Sequence, residues 1–247
     1  MAFFAVAAGD TLADAKRYVG ETRMAMPVFA DALGLMESRY GQQISLNNIH
    51  QTRVIDPTGK IVAYRFEEAS IERALKDAKW KFKDGDDDKK LAAATQLLES
   101  GRYAEGIQKL KPFLKRKDTA ESAQKLFDKV KAEVRGWVKE ADECKGSDPV
   151  KAYDLYARAA AAFSKAEEPG TAGAAGVKAL AEDKAVKAEQ AARKTFARVQ
   201  AALSRATPQQ KGEVARFCHD IVKKHPGTPT ADKARSLAEE LGQPVPQ

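Results

Sequence analysis

From Lys90 to the C-terminus, apolar residues return at helical spacing with little interruption, which limits this part of the chain to packed helices. Leu91 to Leu98 leads into Gly101-Arg102-Tyr103-Ala104-Glu105-Gly106-Ile107, then Leu110 and Phe113. Leu126 to Cys144 is amphipathic, breaks at Gly146-Ser147-Asp148-Pro149 and resumes as Val150 to Phe163. Asp148 before Pro149 reads as a helix start: a side chain that accepts from first-turn amides, then a residue that needs no N–H. Ala172 to Ala206 is Ala-rich and predicts one long helix or a broken pair. Thr207-Pro208 opens a helix bearing Val214, Phe217, Cys218, Ile221 and Val222. His225-Pro226-Gly227-Thr228-Pro229-Thr230 then turns into a last helix over Ala231 to Leu241.

The first third reads differently. Ala2 to Ala8 is short, continuous and apolar, as in a buried parallel strand. Leu12, Ala15, Tyr18 and Val19 fall on one face of a following helix. Met26 to Ala30 reads as a short extended segment with Pro27 at its edge. Asp31 caps a further helix whose Leu35, Met36 and Tyr40 point inward. Arg53 to Asp56 is a β-branched run and Lys60 to Phe66 a second apolar run. Between them, Asp56, Pro57 and Gly59 mark a type I turn with a glycine bulge, hence a tight hairpin. Glu67 to Trp80 predicts an amphipathic helix. Trp80 to Lys90, reading WKFKDGDDDKK, shifts to glycine and acid and marks a boundary.

Strand, helix, "PVFAD", helix, "VIDPTGKIV" hairpin and helix, in that order, resemble the C-terminal part of the thioredoxin-like fold, of the redoxin (peroxiredoxin-like) kind. The resemblance implies thiol chemistry carried on a segment that precedes the family's third strand, the strand matched here by Ala2–Ala8. The missing central strand leaves two apolar edges, Ala2–Ala8 and Arg53–Asp56, either paired with each other or exposed. A gene model starting at an internal Met explains this; so does strand completion by another chain or a second copy. The family's cis-proline corner falls on His50 and Gln51, where there is no proline. A cis bond at another residue costs about 2.5–4 kcal/mol, so the family's substrate-docking backbone is not expected here. The "G-R-Y-A-E-G-I" turn between helices is similar to the tetratricopeptide pattern, in which small residues let two helices approach closely. Ala152, Tyr153, Tyr156 and Ala160 take equivalent places in the next unit. The expected fold class is therefore α+β: a partial thioredoxin-like α/β domain at 1–82, an acidic linker at 83–90 and an all-α tetratricopeptide-like region at 91–247.

Composition narrows the function. The net charge of +7 lies almost wholly beyond residue 82, where opposite signs alternate at helical spacing. That is the pattern of a solvated, salt-bridged face. No basic cluster has interleaved aromatics, which speaks against nucleic-acid binding. No apolar run approaches the ~20 residues a bilayer needs. MAFFAVAAGD lacks the basic start and apolar length of a leader, so the chain as written reads as cytoplasmic. The redoxin resemblance implies an exported form for a longer product.

Little chemistry stands out. The acidic string from Asp84 does not make an EF-hand loop, because its sixth and twelfth positions hold Lys89 and Thr95. Cys144 and Cys218 form no CxxC and join no zinc-spaced set. Cys218 and His219 point about 100° apart on a helix, and Cys218 reads as a core residue. Cys144 lies near a helix C-terminus, where the dipole disfavours a thiolate. No phosphate loop, carboxylate pair or Ser/His/Asp set is evident, and no cofactor or metal is expected. Tyr103, Tyr153 and Tyr156 are candidates for a partner surface or for helix packing. The expectation is a non-catalytic interaction protein binding a protein partner through its helices. The alternative is part of a thiol–disulfide oxidoreductase or peroxiredoxin-like enzyme whose catalytic N-terminus is not in this sequence.

Overall fold

The computed structural model describes residues 5–8, 12–23, 28–31, 33, 35, 53–55, 60–65, 67–76, 80–82, 89–163, 167–203 and 205–244. Among the described residues the chain is mostly helical with two small sheets, an α+β arrangement. It divides into two compact units, residues 1–53 with 188–247, and residues 54–187.

In the first unit, β1 (Ala5–Ala8) and β2 (Val28–Asp31) pair in parallel, with Ala5 opposite Val28 and Ala8 opposite Asp31. Helix α1 (Leu12–Thr22) makes the crossover between them. A helical crossover returns the next strand alongside the first, so Val28–Asp31 covers one edge of β1, and among the described residues β1 pairs with no other strand. The apolar face expected on α1 is also only partly used: Ala15 is buried, whereas Leu12 and Tyr18 are 39% and 55% exposed. Two strands about 4.8 Å apart make a narrow seat, wide enough for Ala15 and not for the whole stripe. The Asp31 carboxylate accepts from the Leu35 amide at 2.8 Å. Leu33 is buried in a cluster with Val199, Val214, Cys218, Ile221 and Leu237. That packing ties the N-terminal segment to the C-terminal helices. Met36, Tyr40, His50 and Gln51 lie outside the described residues.

The described C-terminal part of the first unit is largely helical. Helix α8 (Lys184–Leu203) begins in the second unit and continues into the first. It is followed by α9 (Lys211–Lys224) and α10 (Pro229–Glu240). Thr228 caps α10, its hydroxyl accepting from the Ala231 amide, with Pro229 at the first helical position. Glu189, 1% exposed, accepts from Thr230 N at 3.1 Å, Thr230 Oγ1 at 2.7 Å and Arg193 Nε at 2.7 Å. One buried carboxylate thereby joins α8 to the first turn of α10.

The second unit opens with the expected hairpin, β3 (Val54–Ile55) antiparallel to β4 (Ile61–Ala63) with a register shift at Val54/Ile55. Its turn residues Asp56, Pro57 and Gly59 lie outside the described residues. Helix α2 (Glu68–Leu75) packs on both strands and buries Ser70 and Ala74. It is shorter than the expected Glu67–Trp80, and Trp80 lies beyond it with 58% exposure. Helices α3 (Ala92–Glu99) and α4 (Tyr103–Leu110) form a first hairpin, and α5 (Ala120–Cys144) and α6 (Pro149–Ala162) a second. Asp148 caps α6 as expected, accepting from Lys151 N at 2.9 Å. The Ala-rich run is a broken pair: α7 (Gly170–Leu180) ends before Asp183, whose side chain accepts from the Ala185 and Val186 amides and starts α8. Gly173 and Gly176 bring α7 onto α6. A Cβ at Gly173 would lie 2.7 Å from the Tyr156 carbonyl oxygen and the Ala160 nitrogen. Among the described residues, no helix is long and apolar enough to cross a membrane.

Candidate functional site

The turn between α3 and α4 places Tyr103. Gly101 adopts φ 78°, a left-handed conformation that glycine accommodates freely, and its amide donates to the Leu98 carbonyl at 3.0 Å. Arg102 N donates to Leu97 O at 2.9 Å. Gly106 completes the close approach, since a Cβ there would lie 2.7 Å from the Leu98 side chain. The turn chemistry of "G-R-Y-A-E-G-I" thus fixes where α4 begins.

Tyr103 starts a chain of aromatic contacts. Its ring meets Trp137 of α5 edge-on at 4.7 Å and Phe82 edge-on at 5.8 Å. The Arg158 guanidinium of α6 lies 3.9 Å from the Trp137 ring centroid and 5.7 Å from that of Tyr103. Trp137 Nε1 donates to Glu133 Oε1 at 2.8 Å, which holds the indole in place beneath Arg158. An open cleft of about 210 Å³ lies here, lined by Gly101, Arg102, Tyr103, Glu105, Arg158 and Ala161. Arg102 is engaged by Glu105 through both its Nε and Nη2. Arg158 has no ion-pair partner among the described residues. Burial raises the Tyr103 phenol above its ordinary range, an effect that nearby Lys81 opposes.

Tyr156 and Tyr153 occupy other places. Tyr156 is buried on α6, where a Cβ at Gly176 would run into its ring. Its hydroxyl donates to Asp142 Oδ1 at 2.8 Å. Burial first, then that hydrogen bond, push the phenol up to about 12. The same bond, with one from Lys145, holds the Asp142 carboxyl below its usual range. Tyr153 is half-buried on the same helix. The cleft therefore gathers Tyr103 and neither of the other two. It also gathers Arg158, with Trp137 behind it, and the sequence reading passed over both. The available signal was a lone cation in the Ala-rich run Ala157–Ala162.

The cysteines are poorly disposed for chemistry. Cys218 is fully buried on α9 and burial pushes its thiol up to about 11. Cys144, the last residue of α5, donates its thiol to Ala141 O at 3.7 Å. His219 Nε2 lies 2.9 Å from the Gln243 carbonyl. Among the described residues, no group of three or more His, Cys, Asp or Glu could hold a metal ion. No protein-family model matches this chain, and neither a curated protein nor a solved structure matches it.

Proposed function

We propose that this chain is a non-catalytic interaction protein whose helical hairpins bind a protein partner at the Tyr103 cleft. The supporting observation is Arg158. An exposed guanidinium lying over an indole has already lost much of its rotamer freedom, yet keeps its fork of donors for a partner. The two thiols support a non-catalytic role, one being buried with a raised pKa and the other tied to a helix C-terminal carbonyl. A photo-crosslinking residue in place of Ala161 tests the reading. A discrete crosslinked product is expected, and Arg158→Glu, with an unchanged circular dichroism spectrum, should reduce it at least tenfold. No product, or a product indifferent to Arg158→Glu, counts against it.

A second reading keeps the thioredoxin-like assignment for the N-terminal elements and a thiol–disulfide or peroxide-handling parent enzyme. Its support is the order of elements: β1, α1 and a parallel β2, then an antiparallel hairpin followed by α2. Mass analysis of the native protein's N-terminal peptide tests it. An earlier start carrying a reactive cysteine favours the enzyme; a start at Met1 removes it.

A further inference from the structure

Against Tyr103, the hairpins already hold a short stretch of chain. Lys81 N donates to Glu99 Oε2 at 3.1 Å and Phe82 N to Glu99 Oε1 at 2.6 Å. The Lys81 ammonium pairs with Glu133, the same carboxylate that anchors Trp137. Phe82 is 3% exposed, in one cluster with Leu91, Leu98, Tyr103, Ile107 and Trp137. Each contact is one that could recognise a separate peptide. A carboxylate takes two successive main-chain amides, a second carboxylate takes a lysine, and an aromatic pocket takes a phenylalanine. The segment is neither helix nor strand, so side chains of α3 and α5, rather than a backbone ladder, satisfy its amides.

We infer that the groove bounded by Glu99, Tyr103, Glu133 and Trp137 is a peptide-binding groove occupied by the chain's own Trp80–Phe82 segment, which a partner must displace. The occupant defines the partner: an extended segment with a lysine followed by a bulky aromatic. The half-buried Glu133 selects the lysine and disfavours an acid there. A short tether holds its own segment at an effective concentration on the order of millimolar, so the intact chain is closed to weaker competitors. This groove shares Tyr103 and Trp137 with the Arg158 cleft, and substitution of Glu99, which the cleft does not use, tells the two apart.

The test uses the full chain and a fluorescein-labelled peptide with Trp-Lys-Phe between Gly-Ser flanks, followed by anisotropy. Phe82→Ala and, separately, Lys81→Glu should bind the peptide at least tenfold more tightly than the unmodified protein. Adding Glu99→Gln to either should remove that gain. Lys81→Glu leaves Phe82 in the core and decides the matter if Phe82→Ala does not fold. Native-state hydrogen exchange provides a readout without substitution: excess peptide should deprotect the Phe82 amide while the amides of α4 stay protected. Folded variants that bind no more tightly than the unmodified protein, or a gain indifferent to Glu99→Gln, overturn the inference. So does a Phe82 amide whose protection is unchanged by saturating peptide.

Discussion

Gly173 and Gly136 both lie inside helices, and the space around each decides what a methyl group does there. A Cβ at Gly173 meets backbone atoms of α6 at 2.7 Å, whereas one at Gly136 meets nothing within 4 Å. Gly173→Ala should therefore cost about 1–3 kcal/mol through overpacking, despite its better helix propensity. Gly136→Ala should stabilise by roughly 0.5–1 kcal/mol. Urea unfolding followed by circular dichroism checks both, and equal signs would contradict the packing of α7 on α6. Two of the acids with raised pKa values, Cys218 and Tyr156, weaken the fold at alkaline pH. Cys218 is raised from 9.0 to about 11 and Tyr156 from 10.0 to about 12. Each keeps its proton longer in the fold than in the unfolded chain, so its contribution is full below the unfolded value and lost as pH rises through the folded one. Stability should fall between about pH 9 and 12, and the fall should be shallower in Cys218→Ala. A pH series of urea midpoints measures it.

Between elements, Glu189 ties α8 to α10 through several bonds at once. It satisfies a first-turn amide and a hydroxyl of α10, and it pairs with Arg193 one turn along its own helix. Glu189→Ala leaves the buried Thr230 N–H without its acceptor and should cost about 1–3 kcal/mol, since Arg193, 37% exposed, can turn to water. Glu189→Gln keeps an acceptor oxygen and should cost less. Equal losses, measured by chemical denaturation, would show that charge rather than the capping of α10 carries the effect. The helix boundaries here were largely legible, because Asp148 with Pro149 and Thr228 with Pro229 are local signals that need no tertiary context. Glu189 was not legible. A glutamate inside a helix rich in charge reads as solvated, and only the arrival of Thr230 makes it a buried acceptor.

In the molecule as a whole, the N-terminal segment joins the C-terminal helices through Leu33, while the hairpin at 54–63 and α2 belong with the central helices. Leu33→Ala should cost about 2–5 kcal/mol and raise the rate at which Cys218 is alkylated in the native protein. Cys144, half-buried and in the other unit, should be alkylated at an unchanged rate. Mass spectrometry of iodoacetamide-treated protein separates the two sites. The sequence alone determined the helical character beyond Lys90, the caps and turns that delimit those helices, the hairpin strands, and the unpromising setting of both cysteines. All of these rest on interactions within a few residues of each other. The tertiary structure alone decided the partner of β1, the grouping of the chain ends through Leu33, the placement of Arg158 over Trp137 and the capture of Lys81 and Phe82 by Glu99. These pairings join residues far apart in sequence, where periodicity and turn chemistry carry no information and where burial and hydrogen-bond satisfaction choose between otherwise equal surfaces.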